Sequence, residues 1–144
     1  MASVPNVRFA GYQPASRLAE VLATGDVHVV PLRAGLGDVS VPSKTYSSLA
    51  AGRPVVASID LDSEIPRLLA DAGAGVAVAP GDLAAFVAAV RALVDDHALA
   101  ASLGAAGRQW AEREASPTAV GVAYDHLLRE VAGRGRRLMP RSPR

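Results

Sequence analysis

Short apolar runs rich in β-branched residues recur along the first half of the chain. They are continuous rather than alternating, which is typical of strands that are buried on both faces of a parallel sheet. Four strands are predicted in this way, over Val7–Ala10, Val27–Pro31, Pro54–Ser58 and Gly75–Ala79. Such strands need helices on both faces of the sheet, so the segments between them should be helical.

The segments between these strands carry apolar residues at helical spacing. Helices are predicted over Ser16–Ala23, Ser43–Ala51 and Ser63–Ala72. The last two run directly into Gly52 and Gly73, and glycine commonly ends a helix. Strands that alternate with helices indicate right-handed βαβ crossovers, and hence an α/β fold with a parallel sheet.

The second half of the chain predicts helices only. A turn and helix-start signal at Pro80-Gly81-Asp82 is followed by a long amphipathic pattern. A second helix should run from His97 to about Glu114, and a third should begin at Ser116-Pro117 and include Val131. Only four strands are visible, so an open sheet looks short on its N-terminal side.

The sequence from Gly133 onward is rich in Gly, Arg and Pro and has no periodicity. We therefore interpret residues 1–132 as a partial Rossmann-like domain and residues 133–144 as a basic, disordered tail. Arg129 to Arg144 contain six arginines, although the net charge of the chain is only +1. Most such tails are solvated, but peripheral enzymes use polybasic segments to reach membranes. Contact with the inner membrane face is therefore kept as an alternative, and no nucleic-acid partner is expected.

The composition is that of a folded domain, because 50% of the residues are hydrophobic and 20% are charged. The chain has no cysteine, and His28, His97 and His126 are too scattered for a zinc site. The first residues have neither the basic head nor the apolar stretch of a signal peptide, and no run has the length of a membrane span. We therefore expect a cytoplasmic protein without a metal.

The longest connection from strand to helix, Leu32–Pro42, follows the carboxyl end of a strand, where open parallel sheets bind ligands. Gly35-Leu36-Gly37 in this loop, with Asp60 at the end of the next strand, resembles the dinucleotide fingerprint. Ser40 replaces the third glycine, however, and the loop is too long for that motif. Ser43-Lys44-Thr45 likewise lacks the glycines of a P-loop. Both patterns are therefore disfavoured.

The helix that starts near Ser43 is a candidate phosphate site on physical grounds. Pro42 suits the first helical position, so free N–H groups near Ser43, Lys44 and Thr45 should form the positive end of a helix. Lys44 is the only lysine among fifteen basic residues. The alternative is that Ser43 and Thr45 cap the helix and Lys44 is a surface charge. The bias of the chain toward arginine favours a ligand.

Five segments carry a family resemblance: VRFAGYQP at 7–14, DVHVVPL at 26–32, VPSKTYSSLAAGRPVVAS at 41–58, SEIPRLLADAGAGVAVAPGD at 63–82, and the helix that ends in Gly107-Arg108. Together they resemble the C-terminal part of retaining glycosyltransferases of the GT-B fold, especially bacterial enzymes of colanic-acid and other exopolysaccharide synthesis. The resemblance covers Asn6 to about Val131. It implies that the chain is the donor-binding half of such an enzyme.

The resemblance also implies a nucleotide site. Gly11 and Tyr12 would meet the base, with the tyrosine ring available for stacking. The segment Ser43–Thr45 would hold the diphosphate, in agreement with the argument from the helix terminus. The ribose would hydrogen-bond to Ser47, and the nucleotide-sugar would bind as substrate, with no cofactor.

The donor-sugar contacts are less defined, because many relatives carry two glutamates where this chain has Val39 and Ser47. The resemblance then leaves the sugar to Gly37 and Asp38 of the long loop. Glu64 opens a helix that borders the same cleft, where it either contacts the sugar or complements the helix dipole. No catalytic residue is assigned.

The predicted fold is thus an α/β, Rossmann-like parallel sheet flanked by helices, the C-terminal half of a GT-B fold that is N-terminally truncated. The predicted function is the binding of a UDP- or GDP-sugar for glycosyl transfer in the synthesis of cell-surface polysaccharide or glycoconjugate. An N-terminal acceptor domain or a partner chain would have to complete the cleft, and an exposed sheet edge should favour self-association. The alternatives are an inactive fragment or split subunit that only binds nucleotide, and a sugar-nucleotide epimerase of the same architecture.

Overall fold

A three-stranded parallel sheet forms the centre of the molecule, in a computed structural model that describes residues 4–37 and 39–138, with side chains as far as residue 133. The strands are β1 (His28–Pro31), β2 (Val55–Ser58) and β3 (Gly75–Val78), in the order β1-β2-β3. His28 pairs with Val55, and Val55 pairs with Gly75. The predicted parallel sheet is confirmed, and its three strands begin and end within one residue of the predicted positions.

The prediction of a further strand at Val7–Ala10 is wrong. These residues form no strand, and Val7 and Phe9 are 51% and 81% exposed. The run contains Arg8, and no described segment covers it, so it has neither a strand partner nor an apolar surface to pack on. As a result β1 is an edge strand.

Six α-helices are described, and they confirm the predicted helical segments. A 3₁₀ turn at Ala15–Arg17 leads into the first of them. The helices are α1 (Leu18–Ala23), α2 (Ser43–Ala50), α3 (Glu64–Ala72), α4 (Leu83–Asp95), α5 (His97–Glu114) and α6 (Pro117–Leu138). In the described part of the chain, no helix is both long enough and apolar enough to cross a membrane.

The last helix extends further than the sequence pattern indicated. We expected the helical pattern to be lost at Gly133, whereas α6 continues to Leu138. The prediction that the helix is lost at Gly133 is therefore wrong, because the backbone is helical as far as Leu138. The rest of the expected tail, residues 139–144, lies outside the described residues.

The two faces of the sheet carry two apolar clusters. Leu49 of α2 and Ile65 and Leu69 of α3 pack with Val55 on one face, and each is at most 1% exposed. Leu93 of α4 packs with Val56 on the other face. The central strand β2 is therefore enclosed on both sides, as its continuous apolar sequence requires.

Helix α5 lies unusually close to the C-terminal end of α2. A methyl group on Gly104 would overlap the carbonyl oxygen of Gly52, and one on Gly107 would lie 2.8 Å from Cδ2 of Leu49. Arg108 donates a hydrogen bond of 3.2 Å to the carbonyl of Ala50. Helix α5 thus fixes the position of α2, the opposite end of which faces the candidate site.

The free edge of β1 confirms the expected exposed edge of the sheet. Val29 is 51% exposed there. The backbone N–H groups of His28 and Leu32 donate to the carbonyls of Pro54 and Ser58 in the neighbouring segment. The backbone N–H groups at even-numbered positions of β1 therefore point toward β2. Val29 and Pro31 therefore direct their backbones outward. Self-association through this edge stays a prediction.

Candidate functional site

The loops that follow the three strands emerge at one edge of the sheet, as expected of parallel strands. A cavity of about 430 Å³ lies beside the end of β1 and is lined by residues 29–32 and 40–44. A second cavity, of about 210 Å³, is lined by Pro31, Ser58, the turn before α4 and the first residues of α4. We call the larger one the phosphate cleft, because it contains the start of α2, where the sequence predicts a phosphate site.

The start of α2 presents unpaired backbone donors to the phosphate cleft. Pro42 is the N-cap residue rather than the first helical residue, and no side chain caps the helix. The N–H of Thr45 donates to the carbonyl of Pro42 at 3.0 Å, so the expectation of a free N–H at Thr45 is wrong. Among the described residues, the N–H groups of Ser43 and Lys44 have no partner. These two groups form the positive end of the helix.

The side chain of Lys44 is exposed and makes no ion pair with any residue in the described part of the chain. Ser43 is also exposed and lines the cleft beside it. Since neither Ser43 nor Thr45 caps the helix, the capping part of the alternative is wrong, whereas Lys44 as a surface charge stays an alternative. An uncompensated cation beside two free N–H groups is an arrangement that attracts an anion.

The side chain of Thr45 points away from the phosphate cleft and into the core. Its residue is 0% exposed, and its hydroxyl has no hydrogen-bond partner among the described residues. It lies on the same buried side of α2 as Ser48 and Leu49. A buried hydroxyl without a partner destabilises a fold. The side chain of Thr45 is therefore removed from the cleft, although its sequence position suggested a ligand.

Replacement of Thr45 by valine, which has the same shape without the hydroxyl, is expected to stabilise the fold by about 1 kcal/mol. Thr45→Ser keeps the unpaired hydroxyl and loses the buried methyl, so it should destabilise the fold by about 1 kcal/mol. Denaturant unfolding of both variants measures this pair of opposite effects. A lower stability of Thr45→Val would show that the hydroxyl has a partner in solution.

Ser47 lines a different cavity from Ser43 and Lys44. This cavity, of about 490 Å³, lies between α1, α2 and α5, and its walls include Leu18, Leu22, Ala50 and Arg108. We call it the α1 cavity. Ser47 is one helical turn after Ser43, so both belong to one side of α2, but the structure does not bring them into one enclosed pocket.

The long loop after β1 is held by a carboxylate that the sequence suggested for another role. Oδ2 of Asp60 accepts hydrogen bonds of 2.9 Å from the N–H of Gly35 and 3.0 Å from that of Gly37. A Cβ atom on Gly37 would lie 2.8 Å from Cβ of Ser63. The resemblance of Gly35, Gly37 and Asp60 to a dinucleotide fingerprint therefore reflects a loop clamp within this chain.

The donor-sugar candidates lie around this clamp. Gly37 is buried against Ser63, the residue directly before Glu64, so the structure brings Gly37 and Glu64 close together. Glu64 is exposed and begins α3. Asp38 lies outside the described residues. Gly37 and Glu64 thus border the same edge of the sheet as the phosphate cleft.

The two base-contact candidates are on the surface. Tyr12 is 96% exposed, and neither Gly11 nor Tyr12 lines the phosphate cleft or the α1 cavity. They precede α1, and the carbonyl of Gly11 accepts a hydrogen bond of 3.2 Å from Gln13. The structure therefore leaves the tyrosine ring without a packing partner among the described residues.

Tyr46 links α2 to the region of Glu64. Burial raises the pKa of Tyr46 above 10.0, and the Glu64 carboxylate raises it further. The ring of Tyr46 also packs at 6.1 Å from that of Trp110, centroid to centroid. Tyr46 therefore remains neutral at physiological pH.

The raised pKa of Tyr46 predicts a pH effect on stability. The unfolded chain ionises first as the pH rises above about 10, and the folded chain keeps the proton longer, so stability should fall in this range. Tyr46→Phe should lessen this fall, because phenylalanine does not ionise. Denaturant unfolding of both proteins from about pH 8 to about pH 11 tests this. Parallel stability curves would contradict it.

Comparisons with known proteins bear on the family of this chain. Residues 1–96 match the family described as "Glycosyl transferases group 1", and this match includes the whole sheet and the phosphate cleft. A Pseudomonas aeruginosa protein described as "Probable glycosyltransferase WbjE" is 36% identical over 76 residues, which are 53% of this chain and 19% of that relative. The aligned region is thus a small part of the relative's length. No solved structure matches the chain. The chain belongs to the group 1 glycosyl transferases, which confirms the family resemblance of its sequence.

Proposed function

We propose that this chain is the donor-binding part of a glycosyltransferase and that it binds a UDP- or GDP-sugar with the diphosphate at the start of α2. The observation that carries this proposal is the pair of N–H groups of Ser43 and Lys44, which have no partner among the described residues and lie beside an exposed ammonium in a cleft of about 430 Å³. Helix N-termini of this kind are suited to phosphate oxygens. Membership of the family supports the same assignment.

The chemistry of transfer makes this arrangement useful. As the bond from the sugar to the diphosphate breaks, negative charge grows on the departing diphosphate. Fixed donors and a cation that are already in place stabilise this charge without reorganisation. In our proposal Lys44 and the start of α2 supply this stabilisation from the chain itself, and no resident cofactor takes part.

The remaining contacts of the donor follow from the positions of the candidates. We assign the ribose to Ser47, which is one turn along α2, and the base to the exposed ring of Tyr12 with Gly11. The sugar is assigned to Gly37, Asp38 and Glu64 beside the Asp60 clamp.

The acceptor side of the reaction is assigned to an N-terminal domain or a partner chain, because half of a two-domain cleft cannot orient both substrates. The product would be a cell-surface polysaccharide or glycoconjugate. The purified chain is accordingly expected to bind donor nucleotide without measurable transfer. Robust transfer by the chain alone would contradict this part of the proposal.

Calorimetric titration of the full chain with UDP, GDP and the matching monophosphates UMP and GMP tests the proposal. At least one diphosphate should bind saturably and about tenfold or more tightly than its monophosphate, since the second phosphate adds charge-assisted hydrogen bonds. NAD serves as the control for the disfavoured dinucleotide site. The proposal fails if neither diphosphate binds, or if mono- and diphosphates bind equally.

A further inference from the structure

We propose that His28 is a positioning residue that holds α1, with the Tyr12 segment before it, in place against α2, which carries Lys44. This inference rests on the proposed function, because it concerns the two ends of the same nucleotide site. His28 lies on β1 between these two helices and is partly buried.

The two ring nitrogens of His28 contact two different helices. Nε2 lies 2.8 Å from the carbonyl oxygen of Leu22, which can only accept, so Nε2 carries a proton and donates. Nδ1 lies 2.9 Å from Oγ of Ser48, which is 2% exposed. The same hydroxyl lies 2.8 Å from the carbonyl oxygen of Lys44, so its single proton serves either that carbonyl or Nδ1. One imidazole therefore bridges the end of α1 to Ser48 in the second turn of α2.

Helix α1 depends on this bridge because apolar packing holds it only weakly. None of its residues is buried. The α1 cavity lies beside its apolar residues Leu18 and Leu22. Its last carbonyls are instead bound by side chains from the body of the domain, Leu22 by His28 and Ala23 by Arg53. Polar clamps thus set the position of α1.

The segment before α1 moves with the helix, since a chain of side-chain hydrogen bonds connects them. Arg17 donates to Glu20 of α1 at 2.9 Å and to Gln13 at 3.2 Å. Gln13 in turn donates to the carbonyl of Gly11, which adjoins Tyr12. A shift of α1 would therefore displace the proposed base contact relative to the proposed phosphate contact. His28 is the point at which these two parts are joined.

Two conservative substitutions separate the two bonds of the ring. His28→Asn places a polar atom near the position of Nδ1 and keeps only the bond to Ser48, whereas His28→Gln places one near Nε2 and keeps only the bond to Leu22. Ser48→Ala removes the bond to α2 from the other side. The exposed His126 of α6 provides a matched control, His126→Gln.

The experiment measures UDP and GDP affinity by calorimetry, and thermal unfolding, for the full chain and these variants. His28→Asn, His28→Gln and Ser48→Ala should each weaken binding by about fivefold, the effect of losing one hydrogen bond. The double variant with His28→Gln and Ser48→Ala should lose no more than either single variant, because both cut the same bond. His126→Gln should bind like the wild type.

Nuclear magnetic resonance of the free chain supplies a readout that needs no nucleotide. The ring nitrogens of His28 should show the tautomer with the proton on Nε2. His28→Asn should shift the backbone amides of residues 11–13, which a local role of His28 would leave unchanged. Unchanged amides there, or the opposite tautomer, would overturn the positioning role.

The two proposals fail in different ways. If the wild type binds UDP or GDP and the three variants bind equally well, His28 is only a structural residue and the donor site stands. If the wild type binds neither diphosphate, the donor site fails, and the role of His28 in nucleotide binding fails with it. In that case the amide shifts still report whether His28 holds α1.

Discussion

Lys44→Ala is expected to weaken UDP or GDP binding by about 1.5–3 kcal/mol, or roughly 10- to 150-fold, the usual range for a charge-assisted hydrogen bond. The ammonium is exposed and has no ion-pair partner in the described part of the chain, so its removal costs the fold little. Thermal unfolding should therefore be nearly unchanged. Calorimetric titration and a thermal melt of the same samples measure both effects.

Two further variants isolate the chemistry of this position. Lys44→Arg should restore only part of the affinity, because a planar guanidinium replaces a compact ammonium. Arg91→Ala removes an exposed charge from α4, outside the phosphate cleft, and should leave the affinity unchanged. Equal affinities for the wild type, Lys44→Ala and Lys44→Arg would mean that Lys44 is a surface charge and that any diphosphate binds elsewhere.

Gly104→Ala should destabilise the fold by about 2–3 kcal/mol, the cost of forcing an extra methyl into a closely packed contact. The new methyl would overlap the backbone oxygen of Gly52, and a backbone atom cannot rotate away as a side chain can. Helix α5 would have to move off the end of α2. Denaturant unfolding measures the loss, and nucleotide binding should weaken in the same variant if α2 shifts.

Gly121→Ala makes the same substitution in a helix where nothing lies within 4 Å of the added methyl. It should stabilise the protein by about 0.5–1 kcal/mol, because alanine is a better helix former than glycine. The same glycine-to-alanine substitution is thus expected to lower the stability of the protein at Gly104 and to raise it at Gly121. Equal effects would show that α5 does not contact Gly52 closely in solution.

The sheet and helices were predictable because their signals are local. The strands β1, β2 and β3 are continuous apolar runs, and the start of α3 after Ser63 and its end at Gly73 agree with the sequence pattern. Val7–Ala10 carries a similar local signal but no strand, since a strand also needs a neighbour with a free edge and a surface to cover it. The local sequence pattern does not show whether such a neighbour and such a surface exist.

The location of the candidate site was predictable for a topological reason, because parallel strands present their carboxyl ends at one edge of the sheet. The roles of individual residues there were not. Whether Thr45 faces the cleft or the core depends on the rotation of α2, and the contact of Asp60 with Gly35 and Gly37 joins two separate loops. The bridge from His28 to Ser48 likewise depends on distances between elements that no spacing encodes.

The outward edge of β1 also bears on whether this protein can form fibres. Growth of an amyloid-like ladder requires a row of outward backbone donors, and β1 offers the N–H of Val29 followed by Pro31, which has none. A second chain that added to this edge would therefore find one donor where a regular strand of this length provides two. Docking of extended segments on β1 should therefore stop after one added strand, so this edge is expected to support small clusters rather than fibrils.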